Sequence, residues 1–177
     1  MSVSKLVRPS LSYKDSFFES LEEYHWEGEF EHLSKLIVET NFEDYVDTLN
    51  EENRMMHDPC ASWTEDVPET VLWLVKESMY LGTVYIRHRL NWHLEKDGGH
   101  VYIIIRPDQR HKGYGKRALK LSLTFANTLG IEKVLLTIEP ENIIARHLAE
   151  NFGAGPDKDI TQTGQFKRKC RYWLNTD

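Results

Sequence analysis

The sequence predicts a mixed α/β or α+β fold, a sheet with helices on both sides of it in the chain. Three observations carry that expectation. Apolar residues recur at helical spacing in the first third, at Phe17, Phe18, Leu21, Tyr24 and His25, and again at Phe42, Tyr45, Val46 and Leu49. After residue 70 the period shifts to short β-branched and aromatic runs. Those runs then alternate with helical stretches near 113–129 and 141–151, which is the pattern of a layered sheet rather than a bundle.

The elements follow in order. Val3–Val7 reads as a short first strand, and 13–26 as an amphipathic helix ended by Gly28. A second helix begins after Asn41, a candidate cap. Pro59 and Pro68 mark 58–70 as a loop. Val71–Lys76 and Tyr80–His88 read as two strands joined by a tight turn. Asn91–Gly99 is a polar connection, and His100–Arg106 a buried strand terminated by Pro107. The helix from Gly113 to Leu129 turns Ala118, Leu121, Ser122, Phe125 and Leu129 inward and ends at Gly130. Lys133–Ile138 is a buried strand, and Glu141–Asn151 a short helix. Ile160–Thr163 and Lys167–Leu174 are strands turning at Gly164. Tyr172 and Trp173 serve either the core or a homodimer interface.

With 177 residues and no Pro/Gly/Ser-rich linker, a single domain is expected over 1–177. Its acidic helical part covers about 10–57, and the remaining core about 70–174. The longest apolar runs are far short of a membrane span of about 20 residues. The first ten residues lack the apolar stretch of a secretory signal. Cys60 and Cys170 are too few for a disulfide framework or a metal cage, so a reduced, cytoplasmic setting with no metal is expected. Net charge is −6, unevenly spread: residues 15–66 hold 16 Asp/Glu against only Lys35 and Arg54. Such a balance argues against a nucleic-acid surface and leaves room for a local anion site in the basic remainder.

That site is expected at Ile103-Ile-Ile-Arg-Pro-Asp-Gln-Arg110-His-Lys-Gly113-Tyr-Gly115-Lys-Arg-Ala118. A buried strand runs into a basic, glycine-bearing turn that opens a helix. The first turn of a helix leaves backbone N–H groups without partners and carries about half a positive charge. Gly113 and Gly115 bare those amides, and Arg110, Lys112, Lys116 and Arg117 add charge. The product is a socket for a phosphate or diphosphate. An ordinary strand–helix turn is the plain alternative. Gly113-Tyr-Gly115-Lys-Arg-Ala118 also fits the relaxed dinucleotide pattern, with Glu139 where a ribose-binding carboxylate would lie. The long basic connection after the strand and the short remainder of the chain argue against that NAD(P) reading. A phosphate-loop NTPase is excluded because Gly-Lys-Ser/Thr is absent.

The run from Ile105 to Leu119 resembles the acyl-CoA signature R/Q-x-x-G-x-G/A of the GNAT superfamily of N-acetyltransferases. Asn142-Ile-Ile-Ala145-Arg-His-Leu148-Ala149-Glu-Asn-Phe-Gly153-Ala154 is similar to its second landmark, N-x-x-A-x-x-L-Y-x-x-x-G-F, with Ala149 in place of Tyr and Ala154 in place of Phe. Ile86-Arg-His88-Arg-Leu-Asn91, Gly98-Gly-His100 and Arg171-Tyr-Trp173 are similar to a bacterial group of acetyltransferases without an assigned substrate.

The resemblance implies a mostly antiparallel sheet with a splayed parallel strand pair, His100–Arg106 and Lys133–Ile138, and helices on both faces. Acetyl-CoA would be the co-substrate. Its diphosphate would lie on the amides of His111, Lys112, Gly113, Tyr114, Gly115 and Lys116, supported by Arg110 and Lys112. Its pantetheine arm would pair with the backbone of Ile103, Ile104 and Ile105, with the Ile104 N–H facing the thioester oxygen and Asn142 bonding the arm. Lys116 and Arg146 are candidates for the 3′-phosphate. An amine attacks the thioester directly, after losing its proton to a general base or a water relay. His100 is the first candidate base, with a hydrogen-bonded structural histidine as its alternative. Glu139 is the second candidate base, with helix capping as its alternative. His88, Asn91 and Tyr102 would line the acceptor pocket. The family's Tyr, which protonates the leaving thiolate, is replaced here by Ala149, so water would serve. The same substitution suits a second reading, a non-catalytic acyl-CoA-binding module. The acidic helices point to a cationic acceptor such as a polyamine, an aminoglycoside or a lysine side chain.

Overall fold

The computed structural model describes residues 3–56, 65–155, 157 and 169–177. The chain divides into two compact units. One gathers the described residues of 1–54, 70–84 and 103–121, the other those of 55–69, 85–102 and 122–177. Pro59, Cys60, the expected strand Ile160–Thr163, the Gly164 turn and residues 167–168 lie outside the described residues.

Strands β1 (Lys5–Val7), β2 (Met55–Met56), β3 (Val67–Lys76), β4 (Met79–Arg87) and β5 (Val101–Ile105) form one sheet in the order β1-β3-β4-β5, with β2 beside β3. β1 runs antiparallel to β3 with Leu6 opposite Leu74. β6 (Lys133–Ile138) and β7 (Cys170–Asn175) form a second, antiparallel sheet with Leu136 opposite Tyr172. The mixed architecture and the antiparallel bias match the expectation. β3 starts four residues earlier than expected, at Val67. Pro68 lacks an amide, but its carbonyl accepts the His88 N–H at 2.8 Å, so pairing continues through it. β5 is one residue shorter than expected at each end, although the His100 carbonyl and the Arg106 N–H still bond the main chain of β4, at Arg87 and Leu81.

In the first unit, α1 (Lys14–Trp26) follows a 3-10 turn at Leu11–Tyr13. It buries Phe17, Phe18, Leu21 and Tyr24 at helical spacing. Phe17 stacks on Trp73 of β3 at 5.0 Å and meets Tyr80 of β4 edge-on at 5.3 Å. α3 (Phe42–Asn50) adds Phe42, Val46 and Leu49 to this aromatic core. Asn41 precedes α3 but makes no side-chain cap, contrary to expectation. α2 (Lys35–Thr40) was not expected, since six residues are too few to show a helical period. The β3–β4 turn is as tight as predicted, with Glu77 at φ 55°.

α4 (Tyr114–Thr128) runs from the first unit into the second. Its buried positions are Ala118, Leu119, Ser122, Leu123 and Ala126, while Leu129 is exposed. The inward stripe is therefore rotated from the predicted one. In the second unit the core is Val134, Leu135, Tyr172, Leu174 and Ala149, the last from α5 (Ile143–Asn151). Tyr172 is fully buried and belongs to the core; Trp173 is partly exposed.

Candidate functional site

The basic turn lies wholly in the first unit. After Ile105 the chain makes a 3-10 turn, Pro107–Gln109, in which Gln109 N–H bonds Arg106 O and Arg110 N–H bonds Pro107 O. His111 is then left-handed at φ 61°, and Gly113 at φ 83°. A non-glycine residue in that region is uncommon and signals a turn held by its surroundings. The first bond of α4 runs from Arg117 N–H to Gly113 O at 3.1 Å. The amides of Tyr114, Gly115 and Lys116 thus precede the helical ladder, as an anion site requires. A Cβ built on Gly113 meets no protein atom within 4 Å. The Cβ side of Gly113 therefore faces open space, and the donors of this turn suit a diphosphate.

An open cavity of about 360 Å³ adjoins this turn, lined by Val3, Ser4, Lys76, Lys112, Gly113, Tyr114 and Arg117. Lys76, from the end of β3, was not foreseen; no local pattern links it to a turn 36 residues later. Arg117 donates Nε and Nη2 to the Ser4 carbonyl, at 3.2 and 3.1 Å, tying the start of the chain to α4. Lys112 and Lys116 are exposed, as a ligand contact needs.

Arg110 departs from its expected role. Its Nη1 pairs with Glu27, its Nη2 with Glu29 at 2.7 Å, and its Nε with Ile105 O at 3.0 Å. A guanidinium so engaged orders the turn rather than offering a free charge. Arg106 was missed as a site-building residue. Its buried side chain binds Glu23 at 2.7 and 3.0 Å, Glu19 at 3.3 Å, Ser16 Oγ at 3.0 Å and Asp108 at 3.1 Å. A charged residue closing an apolar strand was the available signal. β5 is the last strand of its sheet, so Ile103, Ile104 and Ile105, all half-buried, lie along an edge.

The remaining expected residues lie in the second unit. His100 is buried. Its Nδ1 accepts the Leu135 N–H at 3.0 Å, and its own N–H donates to Leu135 O at 2.8 Å. Burial, and secondarily the Arg87 charge, push its pKa down to about 4. The neutral ring therefore carries its proton on Nε2 and has no free lone pair, which fits the structural alternative. Arg87 orders the same loop: its Nη1 donates to the carbonyls of Gly98 and Gly99, and it pairs with buried Glu69 at 3.4 Å. Glu139, just past β6, pairs with Lys169, which also meets Asp97 at 3.3 Å.

Asn142 caps α5, its Oδ1 accepting the Ala145 N–H at 3.0 Å; its amide N–H groups remain the donors suited to a ligand. Arg146 bonds Tyr172 Oη at 3.1 Å and Pro140 O at 3.0 Å, so it braces α5 rather than awaiting a phosphate. Asn91 is likewise committed: Nδ2 donates to Glu65 O and Oδ1 accepts from Leu94 N. His88 is half-buried at the end of β4. Tyr102 is half exposed and packs against Tyr85 at 6.0 Å, which suits a pocket wall.

A family model described as an acetyltransferase (GNAT) domain matches residues 18–155. No curated protein matches this sequence. Among solved structures, a chimera of the spermidine N-acetyltransferase SpeG from Vibrio cholerae and hSSAT is 18% identical with a TM-score of 0.60, covering 98% of this chain and 95% of that one. The microcin C7 self-immunity acetyltransferase MccE, in complex with acetyl-CoA and AMP, is 11% identical with a TM-score of 0.63, covering 97% and 92%. YncA from Salmonella typhimurium, with its cofactor acetyl-CoA, is 13% identical with a TM-score of 0.56, covering 99% and 94%.

Proposed function

Because the chain belongs to the GNAT acetyltransferase family, we propose that it transfers the acetyl group of acetyl-CoA to a primary amine by direct attack. The observation that carries this reading is the turn ahead of α4, with its ladder-free amides, two left-handed residues and open space in front of Gly113. When bound, acetyl-CoA supplies an activated acyl carbon. The amides of His111–Lys116, with Lys112 and Lys116, would hold its diphosphate. The edge of Ile103–Ile105 would take the pantetheine arm as an added strand, and the Ile104 N–H the thioester oxygen. The Asn142 amide would donate to the arm. Arg110 and Arg146 would support these contacts through the main chain they brace.

The acceptor ammonium, with pKa near 10, must lose a proton before it attacks. With the His100 ring committed to Leu135, Glu139, itself paired with Lys169, or a water relay would take that proton. Tyr102 and His88 would flank the acceptor. The acceptor is a small molecule or a protein amine. A cationic one suits the acidic helices, although Glu22 is paired with Lys35, and Glu19, Glu23, Glu27 and Glu29 with Arg106 and Arg110, which weakens their pull. A second reading, an acyl-CoA-binding module without turnover, is favoured by Ala149: it is fully buried, and no phenol stands at that helical position.

Titration with acetyl-CoA, followed by an amine panel with thiol-release detection, tests both readings. Saturable binding with turnover on any amine supports transfer. Binding without turnover across polyamines, aminoglycosides and lysine peptides supports the module. Equal salt dependence with cationic and neutral amines would remove the charge argument.

A further inference from the structure

We infer that Glu27 and Glu29 are positioning residues for the diphosphate turn and act through Arg110, an inference that rests on reading that turn as the acyl-CoA site. The two carboxylates sit on a rigid corner. Glu27 N–H bonds the carbonyls of Glu23 and Tyr24, Gly28 turns the chain at φ 72°, and Glu29 N–H returns to Tyr24 O at 2.8 Å. This corner presents two acceptors to one planar fork. Arg110 fills both and uses its Nε to hold Ile105 O. Its own N–H is bonded to Pro107 O. Main chain and side chain of Arg110 are therefore both fixed, directly before left-handed His111. The next residues carry the amides that face the ligand.

The sign of the effect separates positioning from charge. Arg110 is neutralised by two carboxylates, so it contributes little net attraction to a diphosphate. If charge alone mattered, removing Glu27 and Glu29 would make the turn more positive and tighten acetyl-CoA binding. If the carboxylates hold the turn, the same change weakens binding.

The experiment is calorimetric titration of the full chain with acetyl-CoA and with acetyl-pantetheine, which lacks the diphosphate. In Glu27→Gln/Glu29→Gln the acetyl-CoA Kd should rise about fivefold, the scale of partly exposed ion pairs, while acetyl-pantetheine binding stays unchanged. Arg110→Lys, which cannot span both carboxylates and Ile105 O, should weaken acetyl-CoA similarly. Glu22→Gln, which breaks the exposed pair with Lys35, should change neither. Unchanged or tighter acetyl-CoA binding in both Arg110-side variants overturns the inference, as does equal weakening of both donors. Wild-type protein that fails to bind acetyl-CoA overturns the acyl-CoA reading itself.

Discussion

His100 and Leu135 grip each other twice: backbone N–H to backbone carbonyl in one direction, and backbone N–H to imidazole Nδ1 in the other. The second bond satisfies the amide of a fully buried residue in β6 with a side chain instead of a strand. An unpaired buried amide costs about 1–3 kcal/mol. His100→Ala should therefore destabilise the fold by about that amount in urea denaturation. His100→Asn, whose Oδ1 can replace Nδ1 as acceptor, should recover part of the loss. Amine-acetylation rates of the Asn variant should stay within a few-fold of wild type. A loss of about 100-fold would instead return His100 to the role of base.

The same pair predicts a pH dependence. The unfolded histidine takes its proton near pH 6.5, whereas the folded one waits until about 4. Between those values the unfolded chain binds more protons, so stability falls as pH falls. It is fully present above about 6.5, and the slope approaches about 1.4 kcal/mol per pH unit in mid-window. Thermal melts from pH 7 to 4 should show wild type losing more stability than His100→Asn. Parallel curves would contradict the assignment.

Arg106 and Glu23 predict an asymmetry among ion-pair variants. The guanidinium is buried, Glu23 is mostly buried, and Glu19 is exposed. Glu23→Ala leaves a buried charge short of its main partner and should cost about 2–3 kcal/mol. Glu19→Ala removes a 3.3 Å contact that water can replace and should cost under about 1 kcal/mol. Urea denaturation at neutral pH gives both values, and equal losses would argue against this ranking.

What the sequence made legible was local. The glycine spacing at Gly113 and Gly115 marked the turn ahead of α4, and the Asn142 pattern marked the start of α5, because both signals sit within one turn of chain. The partners of charged groups were not legible. Arg110 reads as a ligand contact until Glu27 and Glu29, more than 80 residues earlier, are seen to hold it. Asn91 reads as a pocket residue until Glu65 and Leu94 absorb both ends of its amide. His100 reads as a base until burial and Leu135 are known. A side chain's type advertises chemistry, but the fold decides whether its lone pairs and protons are free.

Gly99 supplies the last prediction. It adopts φ 62° and directly precedes His100, and a Cβ there would lie 2.4 Å from Leu135 O and 3.1 Å from Leu135 C. Both obstacles are backbone, so no rotamer change relieves them. Gly99→Ala must either push β6 away or break the His100 N–H bond to that same carbonyl. The left-handed φ adds about 1 kcal/mol for any side chain. By contrast Gly113, at φ 83°, faces open space. Gly113→Val meets no protein atom, yet its branched side chain is strained at that φ and so distorts the turn locally. The two variants should therefore dissociate. Gly99→Ala should lower the urea midpoint strongly. Gly113→Val should lower it far less yet lose acetyl-CoA binding by calorimetry. A Gly113→Val protein that binds acetyl-CoA normally would remove the turn ahead of α4 from the cofactor site.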